Sequence, residues 1–313
     1  MFRNAKVIGE KIDGATYRRQ SAKRGDAGYV VSRSDLMDIA ACPHKWLMSA
    51  GLDDDATDAT QWGSLLDLLV LSGDVSKIAI VPETYADSKT GELKPWIFSA
   101  TVCKEWKKAN ADKLILKKRD MDKATKAAEL IMNHPVAGPM LHVAQHQVMV
   151  TAEWHDDATQ LIVPVKGLID FVPTAEAIGD LKTANDASMS KWQREIDYRG
   201  YLMQAAMYLD LYNAATNGNM TKFLHVIQES VEPYEVCTRR LSNDLIEIGR
   251  AQYRAALRKY CLCLAEKNWP GYDAGDGWTE IDALPYMVIK HGMEPVKNLM
   301  ETWEQEAKEE AKV

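Results

Sequence analysis

The stretch Val163–Thr183, VPVKGLIDFVPTAEAIGDLKT, decides the fold. It holds two apolar runs, Val163 to Asp170 and Ala177 to Thr183, separated by a turn around Pro173-Thr174-Ala175-Glu176. Short apolar runs bounded by turn signals predict two buried strands. The first ends Gly167-Leu168-Ile169-Asp170, and the second carries Asp180-Leu181-Lys182. Side chains two apart in a strand point the same way, so Asp180 and Lys182 share a face. An antiparallel partner brings Asp170 beside them. Two carboxylates and an amine meeting on a sheet suit a divalent cation and a water to be activated.

That chemistry needs each residue type. Mg²⁺ prefers oxygen ligands and usually takes one or two carboxylates, with water and phosphate completing its shell. It can lower the pKa of a bound water and neutralise charge on a phosphoryl oxygen. A lysine two residues from a ligand orients that water or stabilises the developing negative charge. An Asp-x-Lys triplet alone is commonly an ordinary strand with edge charges; Asp170 upstream and the helix downstream weigh against that reading here. This helix is expected from Ala187 or Ser190 to about Ala215, with Gln204 and Tyr208 four apart on one face. Either the pair is a core tyrosine with a solvated neighbour, or it forms a polar ledge beside the cation, contacting substrate or fixing the lysine.

Asp170, Asp180-Leu181-Lys182 and Gln204-x-x-x-Tyr208 follow the order and spacing of PD-(D/E)XK nucleases. More narrowly, the chain resembles the RecE-type exonuclease (exodeoxyribonuclease VIII-like) group. Ser32-Arg33-Ser34-Asp35-Leu36, Cys42-Pro43-His44-Lys45-Trp46, Gly63-Ser64-Leu65-Leu66-Asp67 and Trp269-Pro270-Gly271-Tyr272 are similar to further segments of that group, so the likeness runs from about residue 29 to 272. It implies an α/β fold of the restriction-endonuclease type, with a mixed central sheet flanked by helices. It also implies a metal-dependent deoxyribonuclease that resects duplex DNA ends 5′ to 3′, leaving a single strand for an annealing protein. By position Asp170 and Asp180 would ligate Mg²⁺, or Mn²⁺ in its place. Leu181 would offer its backbone carbonyl, Lys182 would serve the water, and Gln204 and Tyr208 would support them. Ser32 and Ser34 would meet DNA phosphate, a role suited to a helix start; Ser34 is equally a good N-cap for the helix beginning at Asp35. The group commonly has His where this chain has Asp67, and aspartate is also a hard oxygen donor. Asp67 is thus a ligand, part of a second site, or a lost ligand. Glu153, ending the alternating run Val148–Trp154, matches a glutamate of the group or is a surface carboxylate. Related toroidal exonucleases imply a homo-oligomer.

Composition fits a soluble globular protein: 313 residues, 46% hydrophobic and 27% charged. No apolar run is long enough to span a membrane, and Met1–Lys6 does not read as a signal peptide, so the cytoplasm is expected. The five cysteines, 42, 103, 237, 261 and 263, form no paired framework. Some relatives hold an iron-sulfur cluster, but Cys42, Cys261 and Cys263 lack a fourth member, and plain thiols are expected. The net charge of −7 argues mildly against nonspecific DNA coating. Arg18, Arg19, Lys23 and Arg24, then Lys104, Lys107 and Lys108, then Lys117, Lys118 and Arg119, line a DNA path or are solvated helix faces.

Along the chain, residues 1–28 are expected as a flexible arm, 29–272 as one nuclease domain and 273–313 as a charged helical tail. Within the domain a helical part covers 29–145, the sheet core 146–240 and a closing helix 242–267. Two other readings stand beside the exonuclease: a structure-selective endonuclease, and a non-catalytic DNA-binding protein on a degenerate nuclease fold.

Overall fold

The computed structural model describes residues 1–52, 57–273, 278 and 281–292. Its centre is a six-stranded mixed sheet. The strands are β1 (Phe2–Gly9), β2 (Gln145–His155), β3 (Ile162–Val172), β4 (Ala177–Ala184), β5 (Lys222–Glu229) and β6 (Val236–Arg240), and they lie side by side in chain order. β2 and β3 form a long hairpin, registered from Gln145 opposite Val172 to His155 opposite Ile162. β4 and β5 are parallel, and every other neighbouring pair is antiparallel. A parallel pair needs a crossover. Here it is supplied by α7 (Met189–Tyr198) and α8 (Tyr201–Thr216), numbered after α1 (Arg33–Ala41), α2 (Pro43–Met48), α3 (Asp58–Leu66), α4 (Thr101–Ala109), α5 (Lys118–Asn133) and α6 (Ala137–Val143). The last long helix is α9 (Asn243–Glu266), capped by the Ser242 hydroxyl.

One face of the sheet packs on α8 and α9. α8 is apolar almost all round, as a helix sandwiched between a sheet and a second helix must be. The other face packs on the end of α3 and on α5 and α6, around Leu66, Leu71, Ile131, Leu141, Phe171 and Leu181. The strands carrying Asp170 and Asp180 are third and fourth of the six, in the middle as the sequence predicts. Among the described residues no helix is long and apolar enough to cross a membrane.

Several expectations change. Within residues 1–28, expected as a flexible arm, Phe2–Gly9 is a sheet strand, antiparallel to β2 with two register shifts. An edge strand with one solvated side looks polar in sequence, and its anchor is a single ring: Phe2 stacks on Tyr253 at 5.6 Å and meets Trp154 edge-on at 5.4 Å. The one helix expected from residue 187 to 215 is two. Gly200 breaks it in the left-handed region at φ 62°, and a Cβ there would fall 2.4 Å from Met37 Sδ. The cap of α1 is Ser32, not Ser34: the Ser32 hydroxyl and Asp35 carboxylate form a reciprocal capping box. Asp35 also takes hydrogen bonds from Tyr29 Oη and Trp46 Nε1, both at 2.9 Å, which ties α1 to α2 in the core. Trp46 in turn packs on Trp269 at 5.3 Å, docking the Trp269-Pro270 segment onto α2. Between the helices of the N-terminal part, residues 80–100 hold a small hairpin, Thr84–Ala86 with Leu93–Pro95. The charged stretch from about Glu294 to Lys312, with Trp303, lies outside the described residues.

Candidate active site

The site grows from the place where β3 and β4 part. Their ladder has one registered pair, Phe171 opposite Gly179. Beyond it the backbone N–H of Leu181 has no strand partner across the gap, and Asp170 Oδ2 accepts it at 2.8 Å. The aspartate thus supplies the hydrogen bond that the sheet does not, as buried backbone groups require. Asp180 is 1% exposed and turns toward α8, where Gln204 Nε2 donates to its Oδ1 at 2.9 Å. Its Oδ2 pairs with the Lys182 ammonium. Period two in the strand and the central position of α8 bring these three together.

Helix period does the rest. Tyr208, one turn after Gln204, lies flat on β3 at Gly167, where a Cβ would come within 2.9 Å of the ring. Burial pushes the Tyr208 phenol above its ordinary range. Asp67 comes from a π-helical turn, Asp67–Ser72, that continues α3; such wide turns often mark functional positions. Burial and the neighbouring Asp180 raise Asp67 to about 7, against the opposing pull of Lys182. Burial, then Asp180 and Asp67, push Asp170 well above the usual carboxylate range. Burial alone would depress Lys182, but the carboxylates of Asp180 and Asp170 outweigh it and hold the amine protonated. Its Nζ also lies 4.7 Å from the Tyr201 ring centroid.

Two residues that sequence reasoning passed over belong here. Arg33 Nη2 donates to Gln204 Oε1 at 3.3 Å, so a guanidinium stands behind the amide that holds Asp180. His225 is the register partner of Asp180 on β5. It is buried, enclosed by Trp192, Tyr201 and Phe223, and neither ring nitrogen has a hydrogen-bond partner among the described residues. Burial lowers it to about 4, so it is neutral at physiological pH. A histidine inside the apolar run Phe223–Ile227 was its only sequence signal.

Other candidates fall elsewhere. Glu153 bonds to Asn4 at 2.7 Å and His155 at 3.4 Å, and faces Pro164 on β3. Six residues of strand then separate it from Asp170, roughly 20 Å. Its match to a family glutamate does not carry it to the site. Ser32 is occupied by its cap, and Ser34 is exposed on the surface of α1. It is Arg33, between them, that reaches inward.

Asp67, Leu181 and Lys182 line a cleft of about 610 Å³, with the buried Asp180 behind Lys182. α3 and Asp67 form one side, Leu181 to Asp186 the base, and Lys191, Glu195 and Arg199 of the α7 region the other side. Among the described residues no group of three or more His, Cys, Asp or Glu is drawn tight enough to cage a metal alone. Mg²⁺ does not require one, because two carboxylates, a carbonyl and water suffice. Burial, and after it mutual repulsion, raise Asp67 and Asp170, and a bound cation would favour their charged forms, so the donor set fits a hard divalent ion.

A sheet that splays at its centre, with Asp, Asp and Lys at the split and a Gln-bearing helix behind, defines a PD-(D/E)XK-like domain. The chain belongs to the family described as PDDEXK-like domain of unknown function (DUF3799), whose model matches residues 32–277. The fold is similar to that of a candidate exonuclease from Eubacterium rectale, at 16% identity and TM-score 0.58 over 91% of this chain and 100% of that one. An alkaline exonuclease from Laribacter hongkongensis matches over 76% of this chain and 91% of its own, at 10% identity and TM-score 0.26, too distant to bear on the argument. No curated protein matches the sequence.

Proposed function

We propose that this protein is a metal-dependent deoxyribonuclease of RecE type that degrades linear duplex DNA from its ends, 5′ to 3′, and leaves a single strand for an annealing protein. The observation that carries the reading is Asp180, held between Lys182 and Gln204 with Asp170 beside it, just behind the cleft that Asp67, Leu181 and Lys182 line. Asp170, Asp180 and the Leu181 carbonyl would hold Mg²⁺, or Mn²⁺, with Asp67 as a further ligand. When bound, the ion supplies charge neutralisation at the scissile phosphate.

The protein's own groups do the rest. Gln204, backed by Arg33, fixes the Asp180 carboxylate. Lys182 stays protonated, so it acts as a hydrogen-bond donor and a positive charge rather than as a base. It orients the attacking water and steadies the negative charge that grows on the phosphate. Tyr208 fills the space behind, and the Tyr201 ring limits where the Lys182 ammonium can move. Assembly of several copies around the duplex belongs to the same reading, by resemblance.

An end-labelled linear duplex, incubated with Mg²⁺ and with chelator, tests it. Loss of label from the 5′ side with Mg²⁺ alone is expected, with a covalently closed duplex untouched. Cutting of the closed circle would make the protein an endonuclease. No cutting of either, with retained DNA binding, would make it a binding protein on a nuclease fold.

A further inference from the structure

A second cleft, of about 640 Å³, adjoins the catalytic one. Both are lined by Ala59, Asn185 and Ser230, so the two clefts meet along those residues. Its remaining wall comes from the start of α5, with Arg119 and Lys123, and from Trp62 stacked on Tyr234 at 5.8 Å. We propose that an unpaired strand of the DNA whose scissile phosphate sits in the catalytic cleft runs through this second cleft, with Arg119 and Lys123 holding its phosphates. The proposal rests on the nuclease reading above.

Three observations carry it. First, charge is divided unevenly along the chain. Residues 75–119 hold ten Lys or Arg against five Asp or Glu, in a protein whose net charge is −7. The segment that delivers Arg119 to the cleft thus carries a basic excess, while the remaining residues sum to a net negative charge. Second, the cations are available. Arg119 and Lys123 are four apart on one helical face. Lys123 is exposed with no carboxylate within 4.0 Å among the described residues, and Arg119 meets only Asp120, its sequence neighbour, at 3.4 Å. Lys126 extends the row, 5.7 Å from the Tyr234 ring centroid and 3.7 Å from Glu232. Third, the cleft has room for one or two nucleotides of a single strand beside the paired rings of Trp62 and Tyr234. Asp58 and Asp120 also line the cleft. Asp120 lies in the first turn of α5, where it offsets the helix dipole, so the pull on phosphate comes from Lys123, Arg119 and the lysines behind them.

The test is the double variant Arg119→Ala/Lys123→Ala, assayed in the full chain with fluorescent single-stranded and blunt duplex 20-mers in chelator. Thermal melting confirms that the fold is kept. Removing two phosphate contacts is expected to weaken single-strand binding roughly tenfold at moderate salt and to lower the slope of log K against log salt by about 1.4. Blunt duplex binding changes less. With Mg²⁺, the double variant is expected to release DNA after shorter tracts. The charge-keeping Arg119→Lys/Lys123→Arg restores tract length. Wild-type binding and salt slope in the Ala variant would overturn the proposal, as would equal losses on both probes. A wild-type protein that does not degrade DNA at all in the Mg²⁺ arm would instead remove the nuclease reading, separately from the binding arm in chelator.

Discussion

At the scale of residues, both oxygens of Asp180 are committed, one to Gln204 and one to Lys182. Two predictions follow from that geometry. Lys182→Ala is expected to lower turnover on the order of 100-fold, as loss of one transition-state donor does, while Kd for DNA in chelator changes little; a binding loss as large as the turnover loss would make Lys182 a phosphate grip. Arg33 acts through Gln204, so Arg33→Ala and Gln204→Ala should not be additive in turnover, and a double-mutant cycle should return a coupling of about 1 kcal/mol or more. Independent effects would detach Arg33 from the site. Asp67 provides a pH test. Its folded value, about 7, is raised above the ordinary 3.8, so its ionisation opposes folding. The cost is absent below about pH 4, grows up to about 7, and is constant above. In chelator, Asp67→Asn should therefore gain melting temperature over wild type as pH climbs through that window. A difference flat with pH would count against a buried Asp67 whose ionisation is opposed in the folded state. Asp180 and Lys182 were legible from strand period, and Asp170 and Gln204 joined them through the order and spacing that resemble PD-(D/E)XK nucleases. Arg33 and His225 were not, since each reaches the site across a tertiary contact between elements remote in sequence.

At the scale of elements, the break at Gly200 sets where α8 begins and so where Gln204 and Tyr208 lie. Gly200→Ala would need a side chain at φ 62° and within 2.4 Å of Met37 Sδ. A loss of about 1–3 kcal/mol in urea denaturation is expected, with reduced activity in parallel. An unchanged midpoint would show that α8 tolerates a different start. The sequence gives Gly200 no flanking turn residues that would distinguish it from a glycine inside a continuous helix, which explains why one helix was expected. Similarly, either Ser32 or Ser34 satisfies the composition of a cap. Only the position of Asp35 at the third helical residue after Ser32 selects between them.

At the scale of the whole molecule, sheet order follows chain order, yet the first strand pairs with one made far later: Phe2 lies opposite Trp154. The middle of the sheet was readable from apolar runs, whereas this edge, with exposed Val7 and Ile8 among polar residues, was not. Phe2→Ala should lower stability by about 1–2 kcal/mol through loss of the contacts with Trp154 and Tyr253. Cleavage rates measured well below the new melting point should hardly change, because the site lies between β3 and β4. A selective loss of activity would tie this edge to catalysis.

That pairing has a consequence for biosynthesis. At roughly 5–20 residues per second, the ribosome makes β1 on the order of ten seconds before β2 emerges to receive it. For that interval the segment has no ladder to join, and a nascent chain stalled before the β2 codons presents Phe2, Val7 and Ile8 to chaperones and to other nascent chains. Of the six strands of the sheet, β1 thus waits longest for its neighbour.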